Sequence, residues 1–222
     1  MWAPTTLGFT TINRKNDNRF FTQINNLIPK FIRLGVVTIL EIICEKITIK
    51  DIKIGNENEI LKEVIDELCI EAESIIFNKI NISNIKINIS NLVLRFIFHN
   101  KKIFFKDNCS AVIHMRLTKD NLNKTIFNKK WIKLKSLIES NILMSFESIE
   151  INNKSINFIP SDELSDKDIK YKLQYDKNSI SMVNNINQRK LTILNDKNIF
   201  VHNLFLYESY IEVELSSKII FN

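Results

Sequence analysis

The sequence predicts an α+β fold in which a curved antiparallel sheet wraps a long apolar helix. Apolar and polar residues alternate along several segments, as they do in strands that have one face on a core and the other in water. One early segment instead has apolar residues on almost every side of a helix, which is typical of a helix buried all round. A buried helix beside such strands calls for a sheet that curves around it.

We expect a loose tail over residues 1–18 and a single domain over residues 19–222. The chain has 222 residues, of which 45% are hydrophobic and 25% charged, and this is enough apolar material for one core. The opening residues show no periodic pattern. From Arg19 the pattern becomes helical, and Pro29 suits the first turn of a second helical segment that ends near Lys46.

This second segment is expected to be a buried helix and not a membrane span. The stretch from Phe31 to Cys44 contains Arg33 and Glu41, and it is shorter than the roughly 20 residues needed to cross a bilayer. The opening of the chain lacks the apolar region of a secretory signal peptide. We therefore expect a cytoplasmic protein, with any membrane attachment being peripheral.

Alternation marks strands on both sides of the middle of the chain. It is clear from Ile85 to Ile89, from Ala111 to Leu117 and from Ile211 to Leu215. In the C-terminal third, clusters rich in Asn and Asp separate short strands, which predicts a meander of antiparallel hairpins over 146–222. These clusters are 152–154, 176–178 and 195–198.

A helical block lies between the two sets of strands. Thr118 is expected to be its N-cap, because a threonine hydroxyl can accept a hydrogen bond from an amide of the first turn. The block should break near Asn128 and end near Met144.

The sequence excludes the common nucleotide-binding and hydrolase motifs. Its three glycines, Gly8, Gly35 and Gly55, are isolated, so no glycine-rich phosphate loop or nucleophile elbow can be assembled. No nucleophile, base and orienting group can be named together, and we expect neither enzyme activity nor a cofactor.

The sulfur and imidazole side chains are also too sparse for a site. The three cysteines are far apart and form no CxxC pair, which indicates reduced thiols. Cys109 and His114 are the closest Cys/His combination, too few for a four-ligand zinc site. We expect no metal site.

The segment SAVIHMRLTKDNLNKTIF, residues 110–127, resembles the signature of the LmeA-like phospholipid-binding family, formerly described as a domain of unknown function. That signature is an alternating strand followed by L-[ST]-x-x-D-L-N and a helix. The matching positions are Leu117, Thr118, Leu122 and Asn123. Asn121 stands where the family has Asp. The order of elements is similar over about residues 30–145, and the chain resembles most the branch from photosynthetic bacteria without a signal peptide.

The resemblance implies a fold similar to the tubular lipid-binding proteins and a lipid-handling role without chemistry. It favours an apolar groove between the helix and the inward faces of the strands, filled by a phospholipid chain. The residues expected to line this groove are Val36, Val37, Leu40, Ile87, Ile113 and Met115. Within the motif, the residue types themselves predict Leu117 and Leu122 in the core and Asn123 on the helix surface or bonded to backbone.

A cluster of lysines around a tryptophan indicates contact with a membrane surface. Lysines near an anionic bilayer are attracted to it, and tryptophan favours the interface. The candidates are Lys129, Lys130, Trp131, Lys133 and Lys135. The alternative is an amphipathic helix that packs on the sheet and leaves its lysines in water.

Two classes of function lead. The first is a non-enzymatic lipid-binding or membrane-associated protein, whose partner is a phospholipid or a membrane surface. The alternative is a protein-interaction or structural module that uses the solvent face of the sheet, since a net charge of +6 suits an acidic partner. Nucleic-acid binding is not expected, because 25 acidic residues are interspersed with the basic ones. The lipid and the oligomeric state stay open.

Overall fold

The computed structural model describes most of the chain, namely residues 15–55, 64–97, 102–106, 109–162 and 169–219. In that part the helices are α1 (Lys15–Ile43), α2 (Lys119–Ile126) and α3 (Ile132–Ile142), with a 3-10 turn at Lys129–Trp131. The first strands are β1 (Lys46–Ile54), β2 (Val64–Phe77), β3 (Ile80–Ile97), β4 (Lys102–Lys106) and β5 (Cys109–Thr118). The later strands are β6 (Phe146–Asn152), β7 (Ser155–Pro160), β8 (Ile169–Asp176), β9 (Ser179–Asn184), β10 (Lys190–Asn195), β11 (Ile199–Leu206) and β12 (Tyr210–Ile219).

The strands form two antiparallel sheets. The large sheet has seven strands, in the order β1-β2-β3-β5-β12-β11, with β4 paired to the far end of β3. The small sheet has five strands, in the order β10-β9-β8-β7-β6. The last two strands of the chain therefore return to the large sheet and place the small sheet beside its β12–β11 half.

The prediction of an α+β fold with a sheet wrapped around a long apolar helix is wrong. The described chain is mostly β, and its sheets do not enclose α1. Where side chains of α1 are described, residues 29–43, Ile32 is 6% exposed, whereas Ile42 is 77% exposed. Apolar residues on every face of α1 do not ensure that the helix is buried. The small sheet, and not α1, covers much of the apolar face of the large sheet.

The start of α1 also differs from expectation. The helix is continuous through Pro29, which lies inside it and does not open a second segment. Residues 15–18 of the expected tail belong to α1, and residues 1–14 lie outside the described part. The proline ring blocks one intrahelical hydrogen bond, yet a helix can continue on either side of that loss.

The main core lies between the β12–β11 half of the large sheet, the α2–α3 block and the small sheet. Aromatic rings form its centre: Phe146, Phe158 and Tyr171 are each 1% exposed and meet edge to face, with ring centroids 4.9 and 5.6 Å apart. Ile211 and Val213 of β12 reach this cluster from the large sheet. The two sheets are thereby joined through one apolar core.

Most element predictions other than α1 are confirmed. The three alternating segments lie on β3, β5 and β12, and Asn-rich turns connect β6 to β7 and β8 to β9. The strands β6 to β10 pair in sequence order, as the predicted meander does, but the meander does not extend over 146–222, because β11 and β12 pair in the large sheet. The helical block is interrupted at Asn128, which caps the 3-10 turn.

The start of α2 is a capping box. Thr118 Oγ1 accepts a hydrogen bond from the amide of Asn121, and Asn121 Oδ1 accepts one from the amide of Thr118 at 3.0 Å. Asn121 therefore works through its amide oxygen, and a carboxylate is not needed at this position. Leu122 is half-buried against the main core, and Leu117 packs with a smaller cluster around Ile82.

Asn123 connects α2 to the edge of the small sheet. Its Nδ2 donates to the carbonyl of Ile149 at 3.0 Å, and its Oδ1 accepts from the amide of Ile149 at 2.8 Å. A single side chain thus imitates the pairing of a neighbouring strand along β6.

Replacing Asn123 with Ala should lower the free energy of unfolding by about 1–3 kcal/mol, because it leaves the partly buried amide and carbonyl of Ile149 without partners. Lys124→Ala, on the exposed side of the same helix, should change it by less than about 0.5 kcal/mol. Urea denaturation of both variants measures the difference. Equal, small losses would show that the bonds of Asn123 do not join helix to sheet.

Candidate functional site

One row of apolar side chains crosses the whole large sheet. In strand order, the register pairs Ile52, Ile70, Ile87, Ile113, Leu215 and Val201. The outer members are buried, at 8% exposure for Ile52, 4% for Ile70 and 6% for Val201. The three in the middle are only half-buried. The centre of this face is thus less covered than its two sides.

The neighbouring row shows the same pattern. Ala72 and Val213 are buried, and between them Ile85 and Met115 are half-buried. Central strands of a covered sheet are normally its most buried part, so this order is inverted. Because strands lie about 5 Å apart, the half-covered floor from β3 to β12 is about 10 Å wide. We call this strip the apolar cleft.

Different elements form the two walls of the apolar cleft. On the β1–β2 side, the inner face of α1 contributes Val36, Val37 and Leu40, which pack in one cluster with Ile87. On the β12 side, Met115 contacts the main core that contains α2, α3 and the small sheet. The six residues predicted for a lipid groove therefore border one strip, with Ile113 on its floor between the walls.

The opposite face of the large sheet is polar and concave. It encloses a groove of about 470 Å³, and its lining includes Lys50, Lys86, His114, Phe205 and Glu214. His114 and Ile113 are neighbours on β5, so one points into this polar groove and the other into the apolar cleft.

The charges of the polar groove pair across strands. Lys50 bonds to Glu73 at 2.9 Å and Lys86 to Glu71 at 2.8 Å. Arg116 bonds to Glu212 at 2.6 Å and lies 4.3 Å from the ring centroid of Tyr210. The hydrogen bond to Glu212 raises the pKa of Arg116, and the bond from Lys86 lowers the pKa of Glu71. These pairs bind one another, so the groove lining is polar but nearly neutral.

The predicted membrane-surface residues lie in two different environments. Lys129, Lys130 and Lys133 are exposed around the 3-10 turn. Lys135 is turned inward, since it bonds to Glu139 at 2.6 Å and lies over the rings of Phe127 and Phe146. The structure thus separates Lys135 from the other three lysines.

Trp131 is held against the turn between β2 and β3. Its Nε1 donates to the carbonyl of Asn78 at 3.2 Å, and Lys130 bonds to the side chain of the same residue. Asn78 and Lys79 both have positive φ, 52° and 64°, which gives this two-residue turn the twist that a hairpin prefers.

The end of α1 meets the same turn. The amide of Glu45 donates to the carbonyl of Ile76 at 2.8 Å, and the Glu45 carboxylate binds the amide and the ammonium group of Lys79. The hydrogen bond from Lys79 lowers the pKa of Glu45, and the nearby charge of Lys130 lowers it further. The sequence did not indicate that the end of α1, this turn and the 3-10 turn come together, because they are separated by some 30 to 50 residues.

Several large apolar side chains near this junction are exposed. Ile42 is 77% exposed, Phe77 45% and Ile132 58%. Ile132 lies within the lysine-rich stretch predicted to contact a membrane, whereas Ile42 was expected to be buried with the rest of its helix and Phe77 was not singled out. Exposed aliphatics next to lysines are the signal that could have found them.

Other classes of site find no support among the described residues. They contain no group of three or more side chains placed to hold a metal ion, and Cys44, Cys69 and Cys109 are free thiols. Burial raises the pKa of each of these thiols. In the same part of the chain, no helix has the length and apolarity required to cross a bilayer.

Comparison with known proteins gives no match: no family model, no curated protein and no solved structure is similar to this chain. The resemblance to the LmeA-like family therefore stays a prediction.

The ion pair between Arg116 and Glu212 should contribute little to stability, because both side chains are more than a third exposed, at 43% and 34%. A double-mutant cycle with Arg116→Ala and Glu212→Ala should give a coupling of about 0.2–1 kcal/mol in unfolding free energy. High salt should reduce it further. A coupling of several kcal/mol would mean that this face is far drier than its exposure indicates.

Proposed function

We propose that this protein is a non-enzymatic lipid-binding protein that works at a membrane surface and takes an acyl chain of a phospholipid into the apolar cleft. The observation that carries the proposal is the inverted burial of the row through Ile87, Ile113 and Leu215. Both flanks of the row are buried, and its centre is half-covered.

The chemistry of the cleft fits an alkyl chain. Its floor and walls are aliphatic, and each methylene that leaves water contributes about 0.8 kcal/mol. The residues named above for its floor and walls carry no charge, so these residues would hold a chain by burial alone. A floor about 10 Å wide is broad enough to accept such a chain between the walls.

The surroundings of the cleft fit a headgroup at a membrane. The protein has a net charge of +6, and exposed lysines lie at the end of the large sheet where β2 turns into β3. Anionic phospholipids would be attracted to that end. A partner that bound the polar face of the large sheet would not require an aliphatic cleft with lysines at its end.

Filling the cleft should remove lipid binding. We expect Ile113→Trp and Val37→Trp to lower several-fold the phospholipid that accompanies the protein purified without detergent, as quantified by mass spectrometry of extracted lipid. Because open space accepts the larger ring, unfolding free energies should fall by less than about 1 kcal/mol, whereas overpacking a closed core costs about 1–3 kcal/mol.

The control is His114→Trp, which adds the same ring one residue along β5 but on the polar face. It should leave bound lipid unchanged. A wild-type protein that carries no phospholipid and takes up none from added vesicles, together with strong destabilisation by Ile113→Trp, would contradict the proposal.

A second candidate is a module that binds a polar partner on the opposite face. The observation in its favour is the groove of about 470 Å³ with Phe205 exposed at its side. The variants Ile113→Trp and His114→Trp separate the two candidates. A partner whose binding is lost with His114→Trp but kept with Ile113→Trp would favour the polar groove.

A further inference from the structure

Three segments meet at one end of the large sheet, and we name this end the basic tip. Its members are the end of α1 (residues 42–45), the β2–β3 turn (residues 77–79) and the 3-10 turn with the start of α3 (residues 129–133). The Glu45–Lys79 ion pair joins the first two segments, and the Trp131 indole joins the last two through the carbonyl of Asn78.

A further contact holds the base of the basic tip. The amide of Asn81, at the start of β3, donates to the hydroxyl of Thr125 on α2 at 2.9 Å. The helical block is therefore tied to β3 directly below the turn. The three segments are fixed to one another by side-chain bonds and not by chain connectivity.

The surface of the basic tip combines exposed aliphatic or aromatic groups with positive charge. Ile42, Ile43, Phe77 and Ile132 are all at least 45% exposed. Lys79, Lys129, Lys130 and Lys133 are exposed beside them, while these segments contain one carboxylate, that of Glu45, which Lys79 already binds. Exposed apolar groups bordered by lysines are the composition of a surface that enters the headgroup region of an anionic bilayer.

We infer that the basic tip is the membrane-docking surface of the protein, and that Ile42, Phe77 and Ile132 enter an anionic bilayer while the lysines bind its headgroups. Trp131 acts as a positioning residue: its indole binds the carbonyl of Asn78 and so holds the start of α3 at the β2–β3 turn. This inference rests on the proposed lipid-binding function, but it concerns a different surface.

The direct test is sedimentation with vesicles of phosphatidylcholine mixed with phosphatidylglycerol. Ile42→Ser and Ile132→Ser should each lower the vesicle-bound fraction several-fold, since each removes an exposed aliphatic group from the basic tip. The matched control is Ile186→Ser, because Ile186 is 84% exposed but lies in the β9–β10 connection of the small sheet. It should bind as wild type does.

Charge is tested by two triple substitutions with the same change in net charge. Lys129, Lys130 and Lys133 changed to Gln should weaken partitioning on the order of a hundredfold, since each lysine near an anionic surface is worth roughly fivefold. Lys172, Lys190 and Lys197, exposed elsewhere, should have a much smaller effect when changed to Gln. Vesicles of phosphatidylcholine alone, or high salt, should abolish the difference.

Three results would overturn the inference. The first is an equal loss of vesicle binding with both lysine triples, and the second is an equal loss with Ile186→Ser and Ile132→Ser. The third is a loss with Leu34→Ser as large as with Ile42→Ser, because Leu34 lies two turns, about 12 Å, along α1 and would indicate side-on docking.

Docking and chain binding can fail separately. Monomeric short-chain phosphatidylglycerol, which forms no bilayer, should bind wild type and the tip variants alike but not Ile113→Trp. Normal monomer binding with no vesicle binding would overturn the basic tip and leave the cleft standing. Vesicle binding by Ile113→Trp with no monomer binding to wild type would overturn the cleft instead.

Discussion

The structure depends on how one apolar sheet face is covered. The large sheet presents rows of aliphatic side chains six strands wide, and an uncovered face of that width would be costly in water. Its β1–β2 side is covered by α1, and its β12–β11 side by the α2–α3 block and the small sheet. Ile87 packs with the first cover and Leu215 with the second, Ile113 between them belongs to neither cluster, and all three stay half-buried. The apolar cleft is the consequence of two covers that do not meet.

The same sheet separates two kinds of surface. Along β5, alternate residues reach the cleft and the polar groove, and the groove is lined by charges that neutralise one another, such as Arg116 with Glu212. Its ion pairs cross neighbouring strands and keep this face polar. The basic tip lies at one end of the strands that form both faces.

The sequence predicted local structure better than long-range covering. Alternation placed Ile211 and Val213 inward, and residue types identified the Thr118 cap and the break at Asn128, because these depend on neighbours in the chain. The wrapped helix was wrong, because periodicity does not show which surface lies against α1. The six predicted groove residues rest on the apolar pattern of α1, on strand alternation and on a resemblance, and their binding of lipid stays a prediction. The exposure of Ile42 and Phe77 was not predicted, because contacts between distant segments, such as Asn78–Trp131 and Glu45–Lys79, form the junction where they lie.

The proposed function requires that the middle of the apolar face be open to an alkyl chain. Photo-crosslinking with a phospholipid whose acyl chain ends in a diazirine tests it directly, because peptide mapping then reports which side chains the chain contacts. If the acyl chain lies in the apolar cleft, we expect adducts on β3 and β5 around Ile87 and Ile113, and on the inner face of α1 at Val36 or Val37. Adducts confined to the outward Leu34 and to Ile186, or the same pattern with and without Ile113→Trp, would contradict it.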